Sequence, residues 1–114
     1  MLNILFICSR NQWRSPTAER IYAGQPLINV RSAGTASSAR RKVTVDDIAW
    51  ADLILVMEYK HASRLRSEFP GQMKSKKCHV LGIPDEYRYM NPELVCEIQG
   101  AADPIIQTAT DLTE

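Results

Sequence analysis

The chain has 114 residues, 45% of them hydrophobic and 24% charged, and its formal net charge is +1. This length supports one domain with a real core, and the near-neutral charge argues against nucleic acid or an anionic membrane as a partner. No apolar run is long enough to span a bilayer and no basic leader precedes the first one, so we expect a single cytoplasmic domain over residues 1–114.

Four short runs rich in isoleucine, leucine and valine predict strands, at residues 2–8, 28–34, 52–57 and 78–83. Helices are predicted between and after them, at residues 15–23, 44–51 and 58–69 and from residue 91 onward. Ser15 and Thr44 are residues typical of helix N-caps. In the tail, Gly100 is expected to end one helix, and Asp103 with Pro104 to begin another short one.

The alternation of strands and helices predicts an α/β fold of three layers, because strands that are apolar on both faces pair in parallel and need helices over each face. We therefore expect a four-stranded parallel sheet with helices on both faces. In such sheets the functional crevice lies beyond the carboxyl ends of the strands. Cys8 ends the first strand, so a phosphate-binding loop is predicted directly after it.

The loop from Cys8 to Arg14 carries the residues of an anion site. A loop between a strand and a helix start directs its N–H groups into a concavity, where the helix dipole adds positive charge. The loop residues expected to bind phosphate in this way are Ser9, Arg10, Asn11, Gln12 and Trp13. Arg14 would add a planar donor that matches two phosphate oxygens at once. The same field favours the thiolate form of Cys8, so a nucleophile and an anion site coincide.

The stretch ILFICSRNQWRSPTAE resembles the signature of the low-molecular-weight protein tyrosine phosphatases, and RSAGT, DLILVM and IPDEY follow in the family's order over residues 1–98. The resemblance implies a cysteine-dependent hydrolase that cleaves phosphotyrosine in proteins, or a small aryl phosphate, through a phosphocysteine. It implies that Cys8 attacks phosphorus, that Arg14 and the loop amides hold the phosphate oxygens, and that Ser15 hydrogen-bonds the departing sulfur. Asn11 matches the family's loop asparagine, which holds the backbone in place.

The general acid is less directly indicated. The family has Asp-Pro after the last strand, whereas this chain has Pro84, Asp85 and Glu86 there in that order. We favour Asp85 over Glu86, because it directly follows the last strand on the side of the crevice that holds Cys8. Tyr87 is expected to form a wall for the phenyl ring of a substrate.

Other departures from the family leave alternatives open. Arg10 replaces a usual glycine, Trp13 replaces a usual second cysteine, and the segment after residue 35 is shorter than in the family. Trp13 either lines the mouth of the pocket or packs on the first helix. A phosphate- or phosphoprotein-binding module without catalysis is therefore a second hypothesis. Arsenate reduction is a third, disfavoured because Cys78 and Cys96 do not form a compact pair.

The remaining candidates have structural interpretations. His61 and His79 are expected on the surface, and Cys78 and Cys96 as small buried hydrophobic residues. Three cysteines at irregular spacing match neither a disulfide framework nor a metal motif, so we expect no metal and no cofactor. The shortened middle would leave one sheet face barer, which suggests a monomer or a weak homodimer.

Overall fold

The computed structural model describes residues 1–113, so that the last residue of the predicted domain, Glu114, lies outside the described part. The chain forms four strands and five helices within that part: β1 (Leu2–Cys8), α1 (Arg14–Tyr22), β2 (Ile28–Gly34), α2 (Val45–Trp50), β3 (Leu53–Val56), α3 (Tyr59–Glu68), α4 (Pro70–Met73), β4 (Lys77–Val80) and α5 (Pro92–Thr113). All neighbouring strands pair in parallel, in the order β2-β1-β3-β4. The predicted four-stranded parallel sheet is confirmed.

The alternating side chains of β1 divide the core into two clusters. Ile4, Phe6 and Cys8 pack on the face covered by α1 and α5, whereas Leu5 and Ile7 pack on the face covered by α2, α3 and α4. Because β1 lies between β2 and β3, both of its faces and both of its edges are covered. Helices on both faces make the fold three-layered, as predicted, and fix the end of β1 between the layers.

Helix α1 begins differently from the prediction, whereas α2 begins as predicted. Helix α1 starts at Arg14, and Trp13 precedes it without a side-chain cap. Ser15 is therefore not the N-cap. It lies in the first turn, and its hydroxyl forms a hydrogen bond with the Cys8 sulfur instead. Thr44, by contrast, caps α2 as predicted, in a capping box with Asp47.

The last predicted strand is shorter than expected. Strand β4 ends at Val80, although the N–H groups of Leu81 and Ile83 still bind carbonyls at the end of β3. Gly82, at φ 74°, lies in the left-handed region and bends the chain between these two contacts. The segment that follows is thereby directed across the carboxyl end of the sheet toward Cys8.

The tail forms one helix and not two. Helix α5 runs through Gly100 and Pro104, although proline removes one backbone hydrogen bond from the helix. A row of buried side chains with a spacing of four residues continues across both positions and packs against the core, at Leu94, Ile98, Ala102 and Ile106. Tertiary packing therefore outweighs the two local signals. No helix within residues 1–113 is both long and apolar enough to cross a membrane.

Gly34, the last residue of β2, lies against the loop that follows β1. A Cβ at this position would be 2.5 Å from the Ser9 carbonyl oxygen, 2.7 Å from the Ala39 Cβ and 3.0 Å from the Arg10 carbonyl carbon. Two of these three atoms belong to the backbone of the loop and cannot move independently of it. Gly34 thus allows β2 to approach the loop closely.

We expect Gly34→Ala to lower the free energy of unfolding by about 1–3 kcal/mol, because overpacking must displace the loop backbone. Urea unfolding monitored by circular dichroism measures this change. Gly100→Ala is the matched control, since a Cβ there has no atom within 4 Å apart from its chain neighbours and the backbone of its own helix, and alanine is favoured over glycine in a helix. Equal stability of Gly34→Ala and the wild type would show that the close approach imposes no constraint.

Candidate active site

The loop from Ser9 to Trp13 connects β1 to α1 and turns tightly around the Cys8 sulfur. Asn11 lies at its centre, with φ 55° in the left-handed region, which asparagine tolerates better than most residues. Its backbone N–H donates to the Cys8 Sγ over 3.2 Å. The loop therefore curls back so that an amide contacts the sulfur.

The carbonyl groups of the loop point away from the sulfur. The Cys8 and Ser9 oxygens accept from the N–H groups of Thr35 and Ala36, over 3.0 and 2.9 Å. The Arg10 and Asn11 oxygens both accept from Arg40, through its backbone N–H at 2.9 Å and its Nε at 3.0 Å. The segment after β2 thus holds the loop from outside.

The amide groups of the loop are directed inward as a consequence. Within the described residues, the N–H groups of Arg10, Gln12 and Trp13 have no hydrogen-bond acceptor. Unpaired N–H groups at a helix N-terminus form a site for an anion, because backbone donors need a partner and the dipole favours negative charge. The geometry therefore supports the predicted anion-binding loop.

The Cys8 sulfur is almost fully buried, with 3% of the residue exposed, and the Ser15 Oγ lies 3.0 Å away. The neighbours of Ser15 define its hydrogen bonds. The Ser15 Oγ accepts from the Asn11 Nδ2 over 2.9 Å, and its single proton has two acceptors within reach, the Cys8 sulfur at 3.0 Å and the Ala33 carbonyl at 3.4 Å. The shorter of these two contacts places the Ser15 hydroxyl against the sulfur.

A second branch of this network orients the Asn11 amide. The Asn11 Nδ2 also donates to the Ser32 Oγ over 2.9 Å, and Ser32 donates in turn to the Glu19 carboxylate over 2.5 Å. Both amide hydrogens of Asn11 are thus used, and the anionic end of the network lies at Glu19. In the sequence, Ser32 stood out only as part of the RSAGT stretch, and nothing there indicated that it links Asn11 to Glu19.

Arg14 is buried, and its guanidinium is held at one nitrogen. Its Nη1 donates to a Glu58 carboxylate oxygen and to the Ile83 carbonyl, the latter over 2.9 Å. The Nε lies 3.7 Å from an Asp85 carboxylate oxygen, an ion-pair distance longer than a hydrogen bond. The edge formed by Nε and Nη2 therefore remains for two oxygens of an anion.

Glu58 and His61, at the start of α3, support the loop from below. Burial raises the pKa of the Glu58 carboxyl, but the hydrogen bond and the charge of Arg14 outweigh this and hold it below its ordinary value. His61 accepts at Nδ1 from the Glu58 N–H over 3.0 Å, so its proton is on Nε2, which donates to the Ser9 Oγ over 2.8 Å. The start of α3 thus binds Ser9, the first residue of the loop, and Arg14, the residue directly after it.

Burial, together with the positive charge of Arg14, lowers the pKa of His61 from 6.5 to about 4. The prediction that His61 lies on the surface is wrong, since only 1% of it is exposed. The prediction that Cys96 is buried is also wrong, because this residue is exposed, whereas Cys78 is half-buried and packs against the core. The sequence does not reveal the burial of His61, because its hydrogen-bond partner, Ser9, lies 52 positions away in the chain.

A small cavity of about 110 Å³ lies over the loop, lined by Cys8, Ser9, Arg10, Gln12, Trp13, Arg14 and Asp85. Pockets that enclose most of a drug-sized ligand are roughly 300–1,000 Å³ in volume, so this one can enclose little more than a phosphoryl group. Of the predicted site residues, Asn11 and Ser15 lie beneath the cavity. Tyr87 does not line it; this residue packs against the core cluster on the α5 face.

Asp85 is the carboxylate of the segment after β4 that reaches the cavity, with 54% of its side chain exposed. Glu86, the alternative acid, is exposed and does not line the cavity.

Among residues 1–113, no three histidine, cysteine or acidic side chains are grouped as a metal site would require.

No protein-family model and no curated protein matches this sequence. Solved structures match over nearly its whole length. The tyrosine phosphatase Wzb from Escherichia coli, in complex with phosphate, is 25% identical with a TM-score of 0.76, and the match covers 95% of this chain and 99% of that one. A low-molecular-weight phosphotyrosine phosphatase from Vibrio cholerae is 22% identical with a TM-score of 0.77, covering 98% and 99%. The YwlE arginine phosphatase from Geobacillus stearothermophilus is 20% identical with a TM-score of 0.72, covering 97% of each chain.

The buried His61 gives the stability of the protein a pH dependence. Its pKa is about 4 when folded and 6.5 when unfolded, so its contribution to stability is complete above pH 6.5 and is lost as the pH falls toward 4. We expect the free energy of unfolding in urea to fall between pH 7 and pH 4.5 by about 2 kcal/mol more in the wild type than in His61→Gln. His79→Gln, which removes an exposed imidazole, is the control. An identical pH dependence in His61→Gln and the wild type would contradict this assignment.

Proposed function

Since the chain has the fold of the low-molecular-weight protein tyrosine phosphatases, we propose that it hydrolyses phosphotyrosine-type aryl phosphate monoesters through a phosphocysteine intermediate. One observation carries the proposal. A buried cysteine sulfur, inward-facing amides and one free edge of an arginine meet in a cavity the size of a phosphoryl group. Phosphoryl transfer needs positioning and charge stabilisation more than covalent chemistry from the protein, and this cavity offers both without a metal.

In the first step, the Cys8 sulfur attacks phosphorus, so that an S–P bond forms while the bond from phosphorus to the aryl oxygen breaks. The loop amides and the Nε–Nη2 edge of Arg14 bind the three remaining phosphate oxygens. The electron pair of the broken bond passes to the phenolate oxygen, which takes a proton from Asp85. Because the nearly buried Cys8 lines the cavity, a phosphoryl group that fills the cavity would lie against the sulfur, with its leaving group toward the opening.

In the second step, water attacks the phosphocysteine while Asp85 accepts its proton. The S–P bond breaks and its electron pair returns to sulfur, where the Ser15 hydroxyl donates a hydrogen bond to the reforming thiolate. A covalent intermediate divides one difficult displacement into two easier ones. Inorganic phosphate then leaves, and the amides and Arg14 are free again.

The rim of the cavity favours an aryl group over a cationic leaving group. Trp13 and Gln12 line the mouth, where a phenyl ring would lie. Phosphoarginine, the type of substrate indicated by the name of the Geobacillus relative, would bring a guanidinium close to Arg10 and Arg14. Because like charges repel in this confined site, phosphotyrosine is the better match.

The two alternatives are less well supported. Arsenate reduction needs resolving cysteines, but Cys78 lies in a groove beside α5, Cys96 is exposed on that helix, and neither lines the cavity of Cys8. A binding module without catalysis would not need Asp85 at the cavity mouth. Turnover of a simple aryl phosphate separates all three cases.

We expect the purified protein to hydrolyse p-nitrophenyl phosphate, and Cys8→Ser to reduce kcat by at least roughly a thousandfold because the nucleophile is lost. Release of p-nitrophenolate measures the rate. The control is Cys96→Ser, which changes an exposed cysteine outside the site and is expected to retain the wild-type rate. Activity that persists in Cys8→Ser would refute the mechanism, and phosphate binding without turnover in the wild type would favour the binding module.

Asp85→Asn should slow hydrolysis of phenyl phosphate by about 10²–10³-fold and that of p-nitrophenyl phosphate much less, because only the poor leaving group requires protonation. The ratio of the two kcat values is the measurement. Glu86→Gln is the matched control and is expected to leave this ratio unchanged. If the ratio changes in Glu86→Gln and not in Asp85→Asn, the general acid is Glu86.

A further inference from the structure

The cavity over Cys8 encloses only the phosphoryl group, so the rest of a substrate must lie on the surface around its mouth. A second, open cavity of about 450 Å³ adjoins it, lined by Arg10, Gln12, Ser38 and Arg40. Arg10 and Gln12 line both cavities. A molecule bound at Cys8 can therefore extend directly into the second cavity.

Two arginines of this second cavity have no acidic partner. Within residues 1–113, neither Arg10 nor Arg40 forms an ion pair, whereas Arg31 and Arg41 share the buried Asp47. Unpaired arginines are common on a protein surface, but here two of them line one cavity beside an anion site. None of the four lining residues is acidic.

The second cavity is held in a defined geometry by the loop. Arg40 is fixed at its Nε by the Asn11 carbonyl and at its backbone N–H by the Arg10 carbonyl. The terminal nitrogens of Arg40, the whole Arg10 guanidinium and the Ser38 hydroxyl remain as donors. Carboxylates near the loop do not neutralise them, since Glu58 and Asp85 face Arg14.

We propose that this second cavity is a subsite for a carboxylate side chain of the substrate, so that the protein prefers phosphotyrosine with a glutamate or aspartate close to it in sequence. The proposal rests on the proposed phosphatase function and adds to it the class of peptide. Two guanidinium groups recognise a carboxylate by charge-assisted hydrogen bonds, and the bound phosphoryl group fixes its distance from Cys8. The preference arises in binding, because the second cavity lies beside the reacting atoms and does not contact them.

The experiment measures kcat/KM for phosphotyrosine peptides that carry glutamate, or the isosteric glutamine, at one position from two before to two after the phosphotyrosine. We expect glutamate to raise kcat/KM about three- to tenfold over glutamine at one or two of these positions, mainly through KM. This ratio should fall toward one as the salt concentration rises from 0.05 to 0.5 M, because exposed charges are screened.

Arg10→Gln and Arg40→Gln should each reduce the glutamate-to-glutamine ratio toward one. The ratio is taken on the same variant, so that any uniform change in catalysis cancels. Arg20→Gln, an exposed arginine on α1 that lines neither cavity, is the matched control and should keep the wild-type ratio.

The outcomes distinguish this proposal from the proposed function. If neither p-nitrophenyl phosphate nor any peptide is hydrolysed, the phosphatase function fails. If both are hydrolysed but glutamate and glutamine peptides react equally, only the subsite is refuted. A preference for glutamate that persists in both Arg10→Gln and Arg40→Gln would also overturn it, because other groups would then provide the charge.

Discussion

Four consecutive carbonyl oxygens, from Cys8 to Asn11, accept hydrogen bonds from the segment that follows β2, and this leaves the loop amides directed at the sulfur. A peptide group has its N–H and C=O on opposite sides, so fixing one direction fixes the other. The cradle is therefore built from outside, by Thr35, Ala36 and Arg40, which bind the loop carbonyls and leave the space over Cys8 to the loop amides. The close approach of Gly34 is what brings that outer segment within hydrogen-bond distance.

Charge in the site is balanced in the same indirect way. Arg14 is buried and needs a counter-charge, which Glu58 supplies at one nitrogen while the opposite edge stays available. His61 stays neutral beside it and holds Ser9, because burial and the nearby guanidinium both oppose protonation. The start of one helix thus positions both Arg14 and Ser9.

The sheet, its parallel pairing and the resemblance to the low-molecular-weight protein tyrosine phosphatases could be predicted from the sequence and are confirmed. They depend on local patterns: apolar runs between punctuating residues, and a cysteine and an arginine six positions apart. The features that could not be predicted depend on contacts between residues far apart in sequence. Glu58 and His61 have the pattern of surface residues at a helix start, but β3 places that helix start beside the loop, where they bind Arg14 and Ser9. Pro104 looks like a helix start until the buried row of α5 overrides it.

The positions of the other two cysteines have a consequence for oxidative chemistry. Cys78 and Cys96 lie away from the cavity, and Trp13 occupies the position beside Arg14. A sulfenic acid formed on Cys8 by peroxide would have no neighbouring thiol with which to form an intramolecular disulfide. It can condense with a small external thiol or with a backbone nitrogen, and in either case an external thiol must then reduce the sulfur back to the thiol of Cys8. The narrow entrance over Cys8 then governs recovery as well as turnover, because the reductant must enter by the route that the phosphoryl group takes.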